Sequence, residues 1–164
     1  MSRKYKNNTV DINKELNIKA YLSGKTIGIE EVKDDVFSSK MMGDGIAIIP
    51  TTDLVKAPAD GKIVVVMKES KHAVGIKFEN GVEALIHVGI DTVSMKGEGF
   101  ELFVEEGDNV KEGDSLIKFD LELIKQRGFA TDTMLIITDN AGKDNIKLIT
   151  GNTVAAGRDV VAAF

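Results

Sequence analysis

Short apolar runs separated by glycine dominate the chain. Ile63-Val64-Val65-Val66 is typical, and similar runs rich in Val, Ile and Phe recur between turn residues. Helices need apolar positions at intervals of three and four, whereas strands need runs or alternation over four to eight residues. This pattern predicts an all-β domain, a compact antiparallel sandwich or barrel. Two stretches depart from it. Glu30 to Phe37 is acidic and is expected to hold a helical turn. Asp120 offers an N-cap, helix formers follow, and Gly128 supplies a stop, so a short surface helix is expected there.

The pattern also echoes itself. Gly107-Asp108-Asn109-Val110-Lys111-Glu112-Gly113-Asp114-Ser115-Leu116-Ile117 and Gly151-Asn152-Thr153-Val154-Ala155-Ala156-Gly157-Arg158-Asp159-Val160-Val161 share the form Gly-x-x-Val-x-x-Gly-x-x-apolar-apolar. Each reads as a tight turn leading into a strand, with glycine supplying unusual backbone angles. Internal duplication accounts for the echo; two turns meeting similar local demands would also produce it. Residues 1–18 are polar and weakly patterned and read as an N-terminal tail, with residues 19–164 as one domain.

Composition narrows the chemistry. With 164 residues the chain is long enough for one domain with a real core. Cysteine is absent, which removes disulfides, thiol catalysis and Cys-based metal sites. No run approaches the ~18 apolar residues of a membrane span, and Met1 to Asn8 lacks the apolar core of a secretory signal, so a cytoplasmic protein is expected. The net charge of −5, with acid and base intermixed, argues against nucleic acid as the main partner.

There are two histidines, His72 and His87, and Asn80-Gly81 lies between them. Asn-Gly between apolar strands favours a two-residue hairpin loop. That loop sets Glu79 against Val82 and Val74 against His87. His72, two residues before Val74, then points to the same face as a diagonal neighbour of His87, with Cα atoms about 7–8 Å apart. A register shifted by one residue would send the two to opposite faces. Three readings of the pair stay open at this point. The imidazoles can be structural. They can bind zinc, with Asp91 the nearest further ligand. Or one can act as a nucleophile on phosphorus at neutral pH while the other stabilises the phosphoryl oxygens.

Ile86-His87-Val88-Gly89-Ile90-Asp91-Thr92-Val93, followed by Lys96-Gly97-Glu98-Gly99-Phe100, resembles the active-site signature of the glucose-family enzyme IIA of the bacterial sugar phosphotransferase system. Further segments resemble the family in the same order: Phe37 with Met41 to Ile48, Ala57 to Ile63, Ser70-Lys71-His72-Ala73, and Glu105 through Leu121. The resemblance runs from about Leu22 to Val161. It implies that His87 is phosphorylated through Nε2 while a carbonyl, expected to be that of Gly89, holds its Nδ1–H. It implies that His72 supports the phosphoryl group and that Ser70 orients the His72 ring. Asp34 and Asp91 match acidic residues at the rim, and Phe37, Met42, Leu85 and Val93 an apolar rim. The implied partners are the histidine-containing phosphocarrier protein as donor and a cysteine of a sugar permease IIB domain as acceptor. No cofactor is expected; a zinc ion shared across a partner interface by His72 and His87 is the exception to test.

Other classes fit less well. A regulatory protein that binds partners according to its phosphorylation state is the main alternative. A lysostaphin-type zinc peptidase needs more histidines than the two present. A biotinyl or lipoyl carrier needs a lysine in a Met-Lys-Met or Asp-Lys-Ala setting, and neither occurs. No Gly-x-x-x-x-Gly-Lys-Ser/Thr phosphate loop is present either. Two departures from the family pattern concern the rim: Lys68 stands where relatives often carry an aromatic, and Val74-Gly75-Ile76 replaces a more usual aromatic-polar pattern.

Overall fold

A computed structural model describes residues 10–164. The strands in chain order are β1 (Asn17–Lys19), β2 (Gly24–Gly28), β3 (Gly45–Pro50), β4 (Leu54–Lys56), β5 (Gly61–Val66), β6 (Ala73–Phe78), β7 (Glu83–Val88), β8 (Phe100–Leu102), β9 (Asn109–Val110), β10 (Ser115–Phe119), β11 (Thr133–Asp139), β12 (Lys147–Leu148), β13 (Thr153–Val154) and β14 (Val160–Ala163). They build an eight-stranded sheet in the order β13-β2-β3-β11-β7-β6-β5-β9, and two three-stranded sheets, β1-β14-β12 and β4-β10-β8. The sheets are antiparallel and form an open sandwich, so of the two expected forms the barrel is not the one adopted.

The order of the large sheet is a palindrome, and the hydrogen bonds repeat with it. Gly107 N–H donates to Ile63 O and Gly151 N–H to Thr26 O, at 2.8 and 2.9 Å. Gly113 N–H donates to Ala57 O and Gly157 N–H to Ala20 O, also at 2.8 and 2.9 Å. Both echoed segments thus bridge the same pair of strands in their own half. One half is continuous, β4 to β10; the other is split into β1–β3 and β11–β14 and embraces it. The pseudo-twofold axis passes through the Ile86–Leu135 pair at the centre of the β7–β11 ladder. The duplication expected from two turns therefore organises the whole domain.

Alternation along each strand decides the layers. Ile86, Val88, Val74, Ile76 and Leu135 face the interior, where they join Tyr21, Phe78, Phe119 and Phe164 in the main core. Burying each such side chain contributes roughly 1.5–3 kcal/mol relative to exposure. A smaller cluster of Ile29, Val32, Phe37, Ala47, Ile90, Met134 and Ile136 seals part of the opposite face of the large sheet.

The helical expectations are met with adjusted limits. The acidic stretch holds a 3₁₀ turn, Ile29–Glu31, then α1, Asp35–Ser38, capped by the Asp34 side chain on Val36 N–H at 2.9 Å. Helix α2, Leu121–Gln126, is capped by Asp120 on Leu123 N–H, and Gly128 follows with φ +84°. The tail boundary needs correction. Leu16 is buried and exchanges backbone bonds with Phe164, and β1 pairs with β14 from Asn17 onward, so residues 16–18 belong to the folded unit. Residues 1–9 of the expected tail lie outside the described residues.

Candidate active site

The hairpin that carries the histidines does not have the register expected from Asn80-Gly81. Ala73, not Val74, lies opposite His87. The loop contains three residues, Glu79, Asn80 and Gly81: Gly81 N–H bonds Phe78 O, Phe78 N–H bonds Val82 O, and Gly81 takes φ +90°. This is a turn closed by a glycine bulge. The turn is met there by segments distant in sequence. The Asn80 side chain is buried: its Nδ2 donates to the carbonyls of Lys14 and Phe164 while its Oδ1 accepts from Val82 N–H, so it braces the three-residue loop and pins it to segments distant in sequence.

In that register His72 should point away from His87, yet the rings meet at right angles with centroids 4.6 Å apart. The period-two rule ends with the strand. β6 starts at Ala73, and Lys71 has φ +59°, so His72 sits on a turn rather than within a ladder. A side chain at Gly97 would collide with Glu69 O, so the loop after β7 lies hard against the β5–β6 turn. These two loops frame the histidine pair.

Each ring is held by its Nδ1. His87 Nδ1 stands 2.9 Å from Gly89 O, the carbonyl expected there. A carbonyl only accepts, so Nδ1 carries the proton and Nε2 keeps its lone pair. His72 Nδ1 lies 2.8 Å from Ser70 Oγ. Burial pushes the pKa of His72 down to about 4, and the neighbouring His87 adds to the shift. Burial also lowers the pKa of His87, opposed by the Gly89 carbonyl, its own backbone and the charge of Asp34. Both rings are therefore neutral at pH 7. The site holds a neutral nucleophilic nitrogen next to a second imidazole in a largely dehydrated setting.

The other rim residues are spread unevenly. Phe37 is buried and packs edge-on against His87, with ring centroids 5.0 Å apart. Leu85 is half-buried and lies one pleat along β7 on the His87 side. Met42 and Val93 are exposed, Met42 just beyond α1 and Val93 in the 3₁₀ turn Thr92–Met95. Asp91 is exposed in a left-handed conformation at the start of that turn. Among the described residues no three His, Cys, Asp or Glu side chains converge on one point. A metal bound by both histidines would need further ligands from a partner.

Two contributors were not singled out from the sequence. Met134 lies opposite His87 on β11 and is fully buried. The run Met134-Leu135-Ile136-Ile137 carries that signal, because an uninterrupted apolar strand is covered on both faces. Thr92 is buried and its hydroxyl bonds the Val88 carbonyl. Nothing in the local pattern marks it.

The sequence profile of the family described as "phosphoenolpyruvate-dependent sugar phosphotransferase system, EIIA 1" matches residues 16–142. The chain belongs to this family. It is a phosphotransferase component, a phosphocarrier in sugar uptake. A Bacillus anthracis protein named PTS system glucose-specific EIIA component is 51% identical over 143 residues, covering 87% of this chain and 86% of the relative. The PTS system glucoside-specific EIICBA component of Staphylococcus carnosus is 46% identical over 144 residues, 88% of this chain but 20% of that longer protein. Among solved structures, glucose permease IIA from Mycoplasma capricolum superposes with a TM-score of 0.83 at 40% identity, over 92% of this chain and 96% of that one. No helix among the described residues of this EIIA chain is long and apolar enough to cross a membrane.

Proposed function

We propose that this EIIA protein takes a phosphoryl group onto His87 Nε2 from the histidine-containing phosphocarrier protein and passes it to a cysteine of a sugar permease IIB domain, on the cytoplasmic side. The observation that carries this reading is the pairing of His87 Nδ1 with Gly89 O, which leaves Nε2 unprotonated beside the His72 ring. In the first step the Nε2 lone pair forms an N–P bond as the donor's N–P bond breaks, and the electron pair returns to the donor imidazole. In the second a cysteine thiolate forms an S–P bond, and the pair of the breaking N–P bond returns to Nε2. The Nδ1 proton stays on the Gly89 bond throughout.

Such a transfer needs alignment, dryness and donors for the three equatorial oxygens more than covalent help. His72 supplies a donor when the Ser70 hydroxyl donates its hydrogen bond to Nδ1, which places the ring's own proton on Nε2, available to the phosphoryl oxygens. Phe37 and Leu85 limit water at the N–P bond, and the exposed Met42 and Val93 flank the site where a partner docks. Asp34 and Asp91 place negative charge there for basic groups on that partner. The Staphylococcus carnosus relative, whose name unites C, B and A components, supports a IIB domain as acceptor. The names of the relatives point to glucose or a glucoside as the sugar.

The test is transfer of radiolabelled phosphate from the carrier protein. His87→Ala should take up none. His72→Ala should be labelled but should hand the group to IIB poorly. Full labelling of His87→Ala would overturn the proposal, and binding to partners without any transfer would favour a regulatory role.

A further inference from the structure

The end of β7 is bonded to both of its neighbours at Val88 and Gly89, next to the two rings. Gly89 N–H donates to Asp132 O on the β11 side at 2.9 Å. On the β6 side, Val88 N–H donates to His72 O at 2.8 Å. A regular antiparallel pair would return a bond from the His72 amide to the Val88 carbonyl. That carbonyl instead accepts from the Thr92 hydroxyl. Its methyl group occupies the space next to the Gly89 Cα, where a Cβ on Gly89 would overlap Thr92 Cγ2. Thr92 is fully buried, one turn past the strand, and its hydroxyl bonds the Val88 carbonyl, while the rings' Nδ1 atoms bond Ser70 and Gly89.

We infer that Thr92 is a positioning residue for both imidazoles. By capping Val88 O it holds the Val88–Gly89 peptide plane at its second end. That fixes the bend at Gly89, whose φ of +76° turns the carbonyl back onto His87 Nδ1. The same cap takes the place of the His72 amide in the ladder, so His72 leaves strand alternation and swings its ring against His87. Removing the hydroxyl leaves the plane held by Asp132 alone and the Val88 carbonyl without its donor.

The inference rests on the phosphoryl-transfer reading for its kinetic consequence, but its structural half has its own readout. In the full chain with isotope-labelled histidine, ring-nitrogen signals report which nitrogen of His87 carries the proton. Wild type and Thr92→Ser, which keeps the hydroxyl, should both show Nδ1–H alone. Thr92→Val, which keeps the shape without the hydroxyl, should show a mixture of tautomers. Its phosphoryl uptake from the carrier should fall about tenfold, with Thr92→Ser within about twofold of wild type. Thr92→Ala serves the same purpose if the valine variant does not fold. Wild-type ring signals and rates in a folded Thr92→Val would overturn the inference, as would equal losses in the Ser and Val variants. If wild type takes up no phosphate at His87, the transfer reading fails, and the ring signals alone still decide the role of Thr92.

Discussion

The two halves of the sandwich share a bonding scheme but not a site. Val88 N–H donates to His72 O in one half at 2.8 Å, and Ile137 N–H donates to Asp44 O in the other at 2.7 Å. The counterpart of His72 is therefore Asp44, and the counterpart of His87 is Ile136. Ile136 is buried in an apolar cluster, whereas His87 is partly open. The connections differ as well. The β5–β6 turn spans residues 67–72, while the β2–β3 connection spans 29–44 and folds into a 3₁₀ turn and α1. This longer connection covers its own half with Ile29 and Val32 and delivers Asp34 and Phe37 to the other half's histidine. The duplicated frame is built twice, and the difference between the connections leaves one copy a covered face and the other a partly open imidazole pair.

The most severe break of this comparison is to give His87 its counterpart's residue. His87→Ile should lose all phosphoryl uptake in the labelling assay. Adding Ile136→His should restore none of it, because Asp44 stands where a second imidazole would be needed and the cluster of Ile29 and Phe37 closes the face. Recovery in the double variant would show that the halves are functionally interchangeable.

The covering connection is probed next. Phe37→Ala removes a ring buried between the cluster and His87, and should cost about 3 kcal/mol in denaturant unfolding. It should also shorten the lifetime of phosphohistidine by admitting water. A smaller effect is expected at the turn that only the reactive half needs. Ser70→Ala deletes one hydrogen bond to His72, worth about 1 kcal/mol, and should slow transfer to the acceptor several-fold, with Ser70→Thr near wild type.

Titration probes the same pair through pH. His72 has a folded pKa of about 4, against ~6.5 in an unfolded chain. Between those values the unfolded state binds the proton and the folded state does not, so stability falls as pH drops from ~6.5 toward 4 and this contribution levels off below. Calorimetry across that window should show a flatter pH profile for His72→Asn than for wild type. Phosphorylation of His87 brings negative charge beside His72 and should raise its pKa, which ring-proton shifts would follow. An unchanged His72 titration after phosphorylation would remove its proposed contact with the group.

Much of this was legible in the residues themselves. Glycine spacing and apolar runs determined the all-β architecture, because turns that require positive φ and strands that require β-branched packing leave few alternatives. The twin Gly-x-x-Val-x-x-Gly segments marked the duplication, and Asp120 and Gly128 bounded α2 within a residue or two. The signature around His87 identified the family. Its pairing partner was reached through a register that the structure does not adopt, since Asn80 braces a three-residue loop while bonding Lys14 and Phe164, two segments distant in sequence.

The sequence by itself thus determined the class of fold, the two histidines and the family they belong to. These depend on local propensity and on side-chain identity, both of which are written along the chain. Only the tertiary structure decided that His72 escapes its ladder to meet His87, that Phe37 comes from the opposite half, and that Thr92 occupies the Val88 carbonyl. Each of those depends on how strand ends and loops terminate against distant segments. Hydrogen-bond competition at a strand's last residue is settled by whichever donor the fold brings near, and no spacing rule along the chain encodes that choice.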